Sequence, residues 1–287
     1  MSAALQLTER PTTSASQIEI RAVQPTIGAE ILGIDLRAPL ADTVRSEIRA
    51  AVLKHKVVFF RDQHLTQPQH EAFAQQFGPL YSHPSSKAVD QRPAIHQILP
   101  HEVKPQISSA NKPLRDGYHT DTSWRLVPAW GAVLRAVHLP PTGGDTIWVD
   151  AALAYRELPD DIKQRLEGLH VTHDYRPALN KAGHDYPIVA HPIVRVHRET
   201  GEKILWANFS QSPYLVGLDR SESHELLTYV LDQYRRPEYQ VRFSWRPGSL
   251  AFWDNRAAVH YAVRNYGDFP RVMERVLIAD ERLYADL

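Results

Sequence analysis

Tyr118-His119-Thr120-Asp121-Thr122-Ser123-Trp124 is the stretch from which the rest of the chain is read. Its aromatic and β-branched residues favour an extended backbone. On a strand, residues two apart face the same way, so His119 and Asp121 project together. An imidazole nitrogen and a carboxylate oxygen side by side can take adjacent positions on a metal. A distant second His would complete a facial two-His, one-carboxylate set that leaves the opposite face open to substrate and oxygen. The pair alone decides little, because a chain with fifteen His yields about one His-x-Asp by chance.

Composition narrows the chemistry. Lys plus Arg is 33 and Asp plus Glu is 33 over 287 residues, so no overall charge draws the chain to nucleic acid or to an anionic membrane, and anion recognition must be local. The absence of cysteine excludes disulfides and thiolate ligands, which leaves His and carboxylates. Met1 to Ser16 lacks the basic start and apolar core of a secretory signal, and no run reaches membrane-spanning length. The reading is a cytoplasmic protein with a disordered leader over 1–16 and a single domain over 17–287.

Outward from the opening stretch, the pattern is of short strands with helices among them. Gln17 to Val23 alternates as a strand, and Ile27 to Leu36 continues it. Thr43 to Lys54 has helical spacing with Asp42 as N-cap, followed by the buried strand Val57-Val58-Phe59-Phe60 and a helix over Gln67 to Gln76. Leu80 to Gly117 and His173 to His191 read as irregular lid segments, the first with one strand at Ile95 to Leu99. Strands are predicted at Trp130 to Leu139, Asp145 to Val149, Ile193 to His197 and Lys203 to Trp206. Helices are predicted at Ala151 to Arg156, Asp160 to Glu167 and Asp219 to Tyr234. Gln240 to Trp245, Gly248 to Trp253 and Arg271 to Asp280 close the chain as three strands. The fold class is mainly β with flanking α-helices, around a double-stranded β-helix, or jelly-roll, core.

His260 follows a buried strand that ends in Asp254-Asn255, which places it at the rim of such a barrel, where a jelly roll keeps its cavity. Alternation along the next strand puts Arg271, Met273 and Arg275 on one face. Two guanidinium groups on a strand this apolar are costly unless anions meet them, and Arg geometry suits carboxylate or sulfonate. A solvated sheet face would equally account for them. His197-x-Glu199 is a competing metal pair, but Glu199 belongs to a polar Glu-Thr-Gly-Glu turn. His170, His173, His184, His191 and His224 have no partner pattern.

Taken in order, these pieces resemble the taurine dioxygenase and 2,4-dichlorophenoxyacetate dioxygenase family of Fe(II)- and 2-oxoglutarate-dependent oxygenases, from about Ile27 to Asp280. The resemblance is carried by Ile27-Gly28-Ala29-Glu30-Ile31 with Gly33-Ile34-Asp35-Leu36, His119-Thr120-Asp121, Gly143-Gly144-Asp145-Thr146, Trp253-Asp254-Asn255-Arg256-Ala257 before His260, and Arg271 with Arg275. It implies that His119, Asp121 and His260 bind Fe(II) and form the catalytic set. It implies that Thr146 and Arg271 hold the distal carboxylate of 2-oxoglutarate, and that His83, Thr122 and Arg275 meet the primary substrate. The implied reaction consumes O2, decarboxylates 2-oxoglutarate to succinate, and hydroxylates a small organic anion, most simply an alkyl sulfate or sulfonate that then loses its anionic group. A phenoxyalkanoate or other carboxylate is the alternative. Tyr118 stands where Trp is common, Thr122-Ser123-Trp124 replaces Val-Thr-Phe, and Pro84, Ser85, Ser86, Arg115 and Asp116 replace amine-receiving residues, all of which argues against taurine itself. A homo-oligomer, dimer or tetramer, is also implied. A non-catalytic jelly-roll anion binder and a Zn(II) hydrolase in the same three-ligand site are the readings from other classes.

Overall fold

The computed structural model describes residues 18–82, 94–99, 114–181, 183 and 185–280. Two β-sheets face each other. The larger runs in spatial order through Glu19–Ala22, Ala29–Leu32, Val57–Phe60, Leu250–Asp254, Gly131–His138, Val272–Ile278 and Leu80–Tyr81, with Ile95–Ile98 also paired to Val272–Ile278. The smaller is Gln240–Phe243, Thr146–Asp150 and Ala258–Ala262. Only the pairing of Ala29–Leu32 with Val57–Phe60 is parallel among these strands. This is the jelly roll expected from the sequence.

The period of two distributes the apolar side chains between layers. Val57, Phe59, Ala132, Leu134, Ala251, Trp253, Met273 and Leu277 meet Trp148, Val241, Phe243 and Ala258 inside the barrel. The alternate residues Val58, Phe60, Val133, Phe252, Val276 and Ile278 pack outward under the helices Asp42–His55 and Gln67–Gln75. A third core joins Val149 and Val259 of the smaller sheet to the helices Ala151–Arg156, Asp160–Leu166 and Arg220–Tyr234. Both faces of the central strands are therefore buried, which is why they read as unbroken apolar runs rather than as alternation.

Several boundaries differ from expectation for identifiable reasons. Asp42 is the first residue of its helix, not its cap; Ala41 occupies that place without a side-chain bond, and Asp42 pairs with Arg45 at 3.0 Å. The Gln67–Gln75 helix is set by a Thr66/Gln69 capping box. Within His173 to His191 there is a helix, Arg176–Lys181; Pro177 near its start is compatible with a first helical turn. A fourth closing strand, Ala258–Ala262, follows Leu250–Asp254. His83 and most of the Leu80 to Gly117 segment lie outside the described residues, as do residues before Ile18. No helix among the described residues is long and apolar enough to cross a membrane.

Candidate metal centre

The backbone, not a continuous strand, brings the two halves of the site together. His119 and His260 exchange backbone hydrogen bonds of 2.9 and 2.8 Å across an isolated antiparallel bridge. The extended run expected through Trp124 stops there, because Thr122 is left-handed at φ 53° and its hydroxyl oxygen accepts from the Ala129 amide at 2.8 Å. Asn255 fixes this turn from the connection that carries the chain from Leu250–Asp254 in the larger sheet to Ala258–Ala262, the strand of His260, in the smaller. Its Oδ1 accepts from the Asp121 amide at 2.8 Å, and its Nδ2 donates to the carbonyls of Asp121 and Ala129, both at 2.9 Å. Asp121 is thus aimed by a clamped turn rather than by pleat alternation. Thr122, expected at the substrate, is buried and has its oxygen in that turn.

Asp121 Oδ1 lies 3.9 Å from His119 Nε2 and 3.8 Å from His260 Nε2. One ligand atom from each of the three residues falls within 4.8 Å of the others, and among the described residues no other such group of three exists. His119 Nδ1 sits 2.8 Å from the Gly117 carbonyl; donation there assigns the proton to Nδ1 and leaves the Nε2 lone pair facing Asp121. His260 Nδ1 has no hydrogen-bond partner among the described residues, and its ring is held between Trp253 at 5.1 Å and Trp148 at 6.5 Å. Burial lowers both imidazole pKa values, against the pull of Asp121. Neutral imidazoles beside a carboxylate are the protonation states a divalent metal requires.

Two guanidinium groups are buried here, Arg275 against the trio and Arg271 at Gly144 and Thr146. Arg275 Nη1 donates to Asp121 Oδ1, and Arg275 Nε has no hydrogen-bond partner among the described residues. Arg271 is 6% exposed and lies beside a register shift at Val272/Met273, where the strand changes its aim. Its Nε donates to the Gly144 carbonyl at 2.8 Å, and Nη2 reaches Thr146 Oγ1 at 3.5 Å. Thr146 Oγ1 also accepts from Trp245 Nε1 at 2.9 Å. Burial lowers the Arg271 pKa, yet among the described residues no carboxylate pairs with it. A buried cation without a counter-ion is a place for an anion. The Gly143-Gly144 turn exists for this: at φ +72° a Cβ on Gly144 would stand 2.9 Å from Arg271 Cδ, and one on Gly143 would stand 2.7 Å from the Asn265 carbonyl oxygen.

Aromatic residues gather around Trp124, which the sequence marked only as a departure from the family pattern, and around Tyr175. Trp124 stacks on Tyr175 at 5.5 Å and meets Tyr186 edge-on at 4.8 Å. Arg125 lies over the Tyr81 ring and bonds its hydroxyl. Burial raises the Tyr175 pKa, and the charges of Arg275 and Asp121 act on it. Arg115 and Asp116 face other tasks: Arg115 Nε donates to the Ser210 carbonyl at 3.2 Å, and Asp116 pairs with Arg235 at 2.6 Å. The competing pair is closed. His197 Nε2 meets Asp254 at 3.0 Å, its Nδ1 accepts from the Glu199 and Thr200 amides, and Glu199 binds Arg49 and Arg256.

Comparison with known proteins agrees with this geometry. The family profile described as "Taurine catabolism dioxygenase TauD, TfdA family" matches residues 19–277. The chain is 35% identical to an alkylsulfatase of Acinetobacter baylyi, over 92% of this chain and 86% of that protein. It is 33% identical to an alpha-ketoglutarate-dependent sulfate ester dioxygenase of Pseudomonas putida, over 93% and 91%. The crystal structure of a taurine dioxygenase from Burkholderia xenovorans superposes with a TM-score of 0.81 at 38% identity, over 93% of this chain and 92% of the other. The chain therefore belongs to the TauD, TfdA family, and it is a 2-oxoglutarate-dependent dioxygenase that works with Fe(II) and O2.

Proposed function

We propose that the enzyme hydroxylates the carbon bearing the anionic group of an alkyl sulfate or sulfonate, with His119, Asp121 and His260 holding Fe(II). When bound, the iron with 2-oxoglutarate and O2 supplies the oxidation, yielding succinate and CO2. Arg271 and Thr146 hold the distal carboxylate of 2-oxoglutarate by charge-assisted hydrogen bonds. Arg275 takes the oxyanion of the primary substrate, with His83 as the second contact. The observation that carries the reading is the compact His-Asp-His trio, with buried Arg275 on Asp121 and a second buried guanidinium, Arg271, beside Thr146. Hydroxylation at the ester carbon of an alkyl sulfate gives an unstable hydroxy sulfate. Its C–O bond to sulfate breaks as the new hydroxyl loses its proton, releasing an aldehyde and sulfate.

The two relatives described as an alkylsulfatase and a sulfate ester dioxygenase support the sulfate class. A carboxylate substrate such as a phenoxyalkanoate is the second reading, favoured by the ring faces of Trp124, Tyr175 and Tyr186 near Arg275. Succinate formation across a panel of alkyl sulfates, alkanesulfonates and phenoxyalkanoates decides between them. The expected result is strongest stimulation by a sulfate ester or sulfonate; stimulation by carboxylates alone removes the first choice. We also propose a cytoplasmic homo-oligomer, a dimer or tetramer, on the family resemblance. Light scattering should then give a multiple of 32.7 kDa.

A further inference from the structure

We propose that Trp245 is a positioning residue that commits the Thr146 hydroxyl to donating, and so makes the Arg271 end of the site selective for an ionised carboxylate over a neutral amide. The proposal rests on the reading of Thr146 and Arg271 as the residues that hold the distal carboxylate of 2-oxoglutarate.

A threonine hydroxyl has one proton to give and two lone pairs to receive, whereas an indole N–H and a guanidinium only donate. Thr146, 2% exposed in the strand Thr146–Asp150, receives Trp245 Nε1 at 2.9 Å on one side and faces Arg271 Nη2 at 3.5 Å on another. With donors on both lone pairs, the hydroxyl proton is left to point in the remaining direction. Trp245 cannot readily swing its N–H away. It is 8% exposed, with Phe243 edge-on at 5.0 Å and Trp148 at 6.3 Å. The Gly144 carbonyl beside them already receives Arg271 Nε. What this corner offers a ligand is therefore donors: the Thr146 O–H and the remaining Arg271 N–H groups. A carboxylate accepts only and satisfies all of them. A primary amide brings N–H groups that meet other donors, and an unpaired buried polar group is the larger penalty. Without the indole N–H, the hydroxyl is free to turn a lone pair toward the ligand, and the discrimination weakens.

The test uses N-oxalylglycine, a non-reacting analogue of 2-oxoglutarate, and its terminal amide, N-oxalylglycinamide. Binding of each to the Mn(II)-loaded full-length protein is measured by calorimetry. The wild type should prefer the acid by about 100-fold or more. Trp245→Phe should reduce that preference about fivefold, the scale of one net hydrogen bond, with Mn(II) affinity unchanged. In a Thr146→Val background, Trp245→Phe should change the preference no further. If the preference is unaltered by Trp245→Phe, or falls equally with and without the Thr146 hydroxyl, the positioning role is overturned and Trp245 only packs. Should Trp245→Phe fail to fold, benzothienylalanine in place of Trp245 keeps the shape without the N–H and gives the same readout. If instead Arg271→Ala and Thr146→Val leave acid binding untouched, the carboxylate assignment itself is wrong, an outcome distinct from failure of the Trp245 role alone.

Discussion

Two buried clusters in this molecule are built from the same residue types and end in opposite states. Around Asp254, both nitrogens of His197 are used by the protein, and Arg256 grips the carboxylate at 2.9 and 2.7 Å. Burial opposes ionisation of Asp254, but the Arg256 charge and bonds outweigh it and hold its pKa well below the usual carboxylate range. Around Asp121, by contrast, His119 Nε2 and His260 Nε2 stop 3.9 and 3.8 Å short of its carboxylate, too far for hydrogen bonds. Asp254 and Asn255 are neighbours in the chain, yet one completes the closed cluster while the other clamps the turn of the open one. A closed cluster contributes stability. One whose nitrogen lone pairs face a common point without touching is set for an ion.

That contrast can be broken by substitution. Asp121→Asn would break the buried Asp121–Arg275 pair as well as a proposed metal contact, and so cost stability. The cleaner variant is His119→Ala, which should reduce 2-oxoglutarate-dependent oxygen uptake at least ~100-fold by removing a proposed metal contact, with little change in the thermal midpoint. Asp254→Asn should do the reverse. Removing one partner of a buried ion pair costs about 3 to 5 kcal/mol, read as a shift in the urea midpoint, while uptake per folded molecule persists. A stable but inactive Asp254→Asn would erase the distinction between the clusters.

The two guanidinium groups sharpen the comparison within the open site. Arg271→Ala should raise the 2-oxoglutarate concentration needed by about tenfold or more, as expected for a charge-assisted bidentate contact, and Arg275→Ala should chiefly raise the requirement for the primary substrate. An exchange of these effects would reverse the two anion pockets.

The smallest effect near neutral pH concerns histidines in neither cluster. Burial lowers the pKa of His70 to about 3 and that of His191 to about 4, with His173 also well below its ordinary value. In the unfolded chain these groups take up protons near pH 6.5. Their contribution to stability is therefore complete above about pH 6.5 and is lost as pH falls toward 4 and then 3. Urea midpoints should be level from pH 7 to 8 and decline below pH 6; a rise on acidification would contradict the neutral assignment.

Much of this was legible in the sequence, and the limits have physical causes. Unbroken apolar runs marked the central strands, because two stacked cores take alternate residues of the same strand and bury both faces. His119 and Asp121 were found for a reason only half right: they face together through a turn clamped by Asn255, and a long-range side-chain bond leaves no local pattern. The strand carrying His260 was missed because Ala258–Ala262 follows a polar connection that leaves one sheet for the other, and nothing local marks that change. Gly143-Gly144 read as a turn, but the packing of Arg271 against it has no trace in local sequence. Trp245, Tyr175 and Tyr186 were indistinguishable from core aromatics until their neighbours were in place, and Trp124, though a departure from the family pattern, gave no sign of the rings it meets.

The central claim is that His119, Asp121 and His260 jointly hold one ferrous ion with 2-oxoglutarate. Its most direct test is the visible absorption of the protein after anaerobic addition of Fe(II) and 2-oxoglutarate. The wild type should develop a weak metal-to-ligand band and His119→Ala should lack it. The same band in folded His119→Ala, at unchanged intensity, would contradict the account.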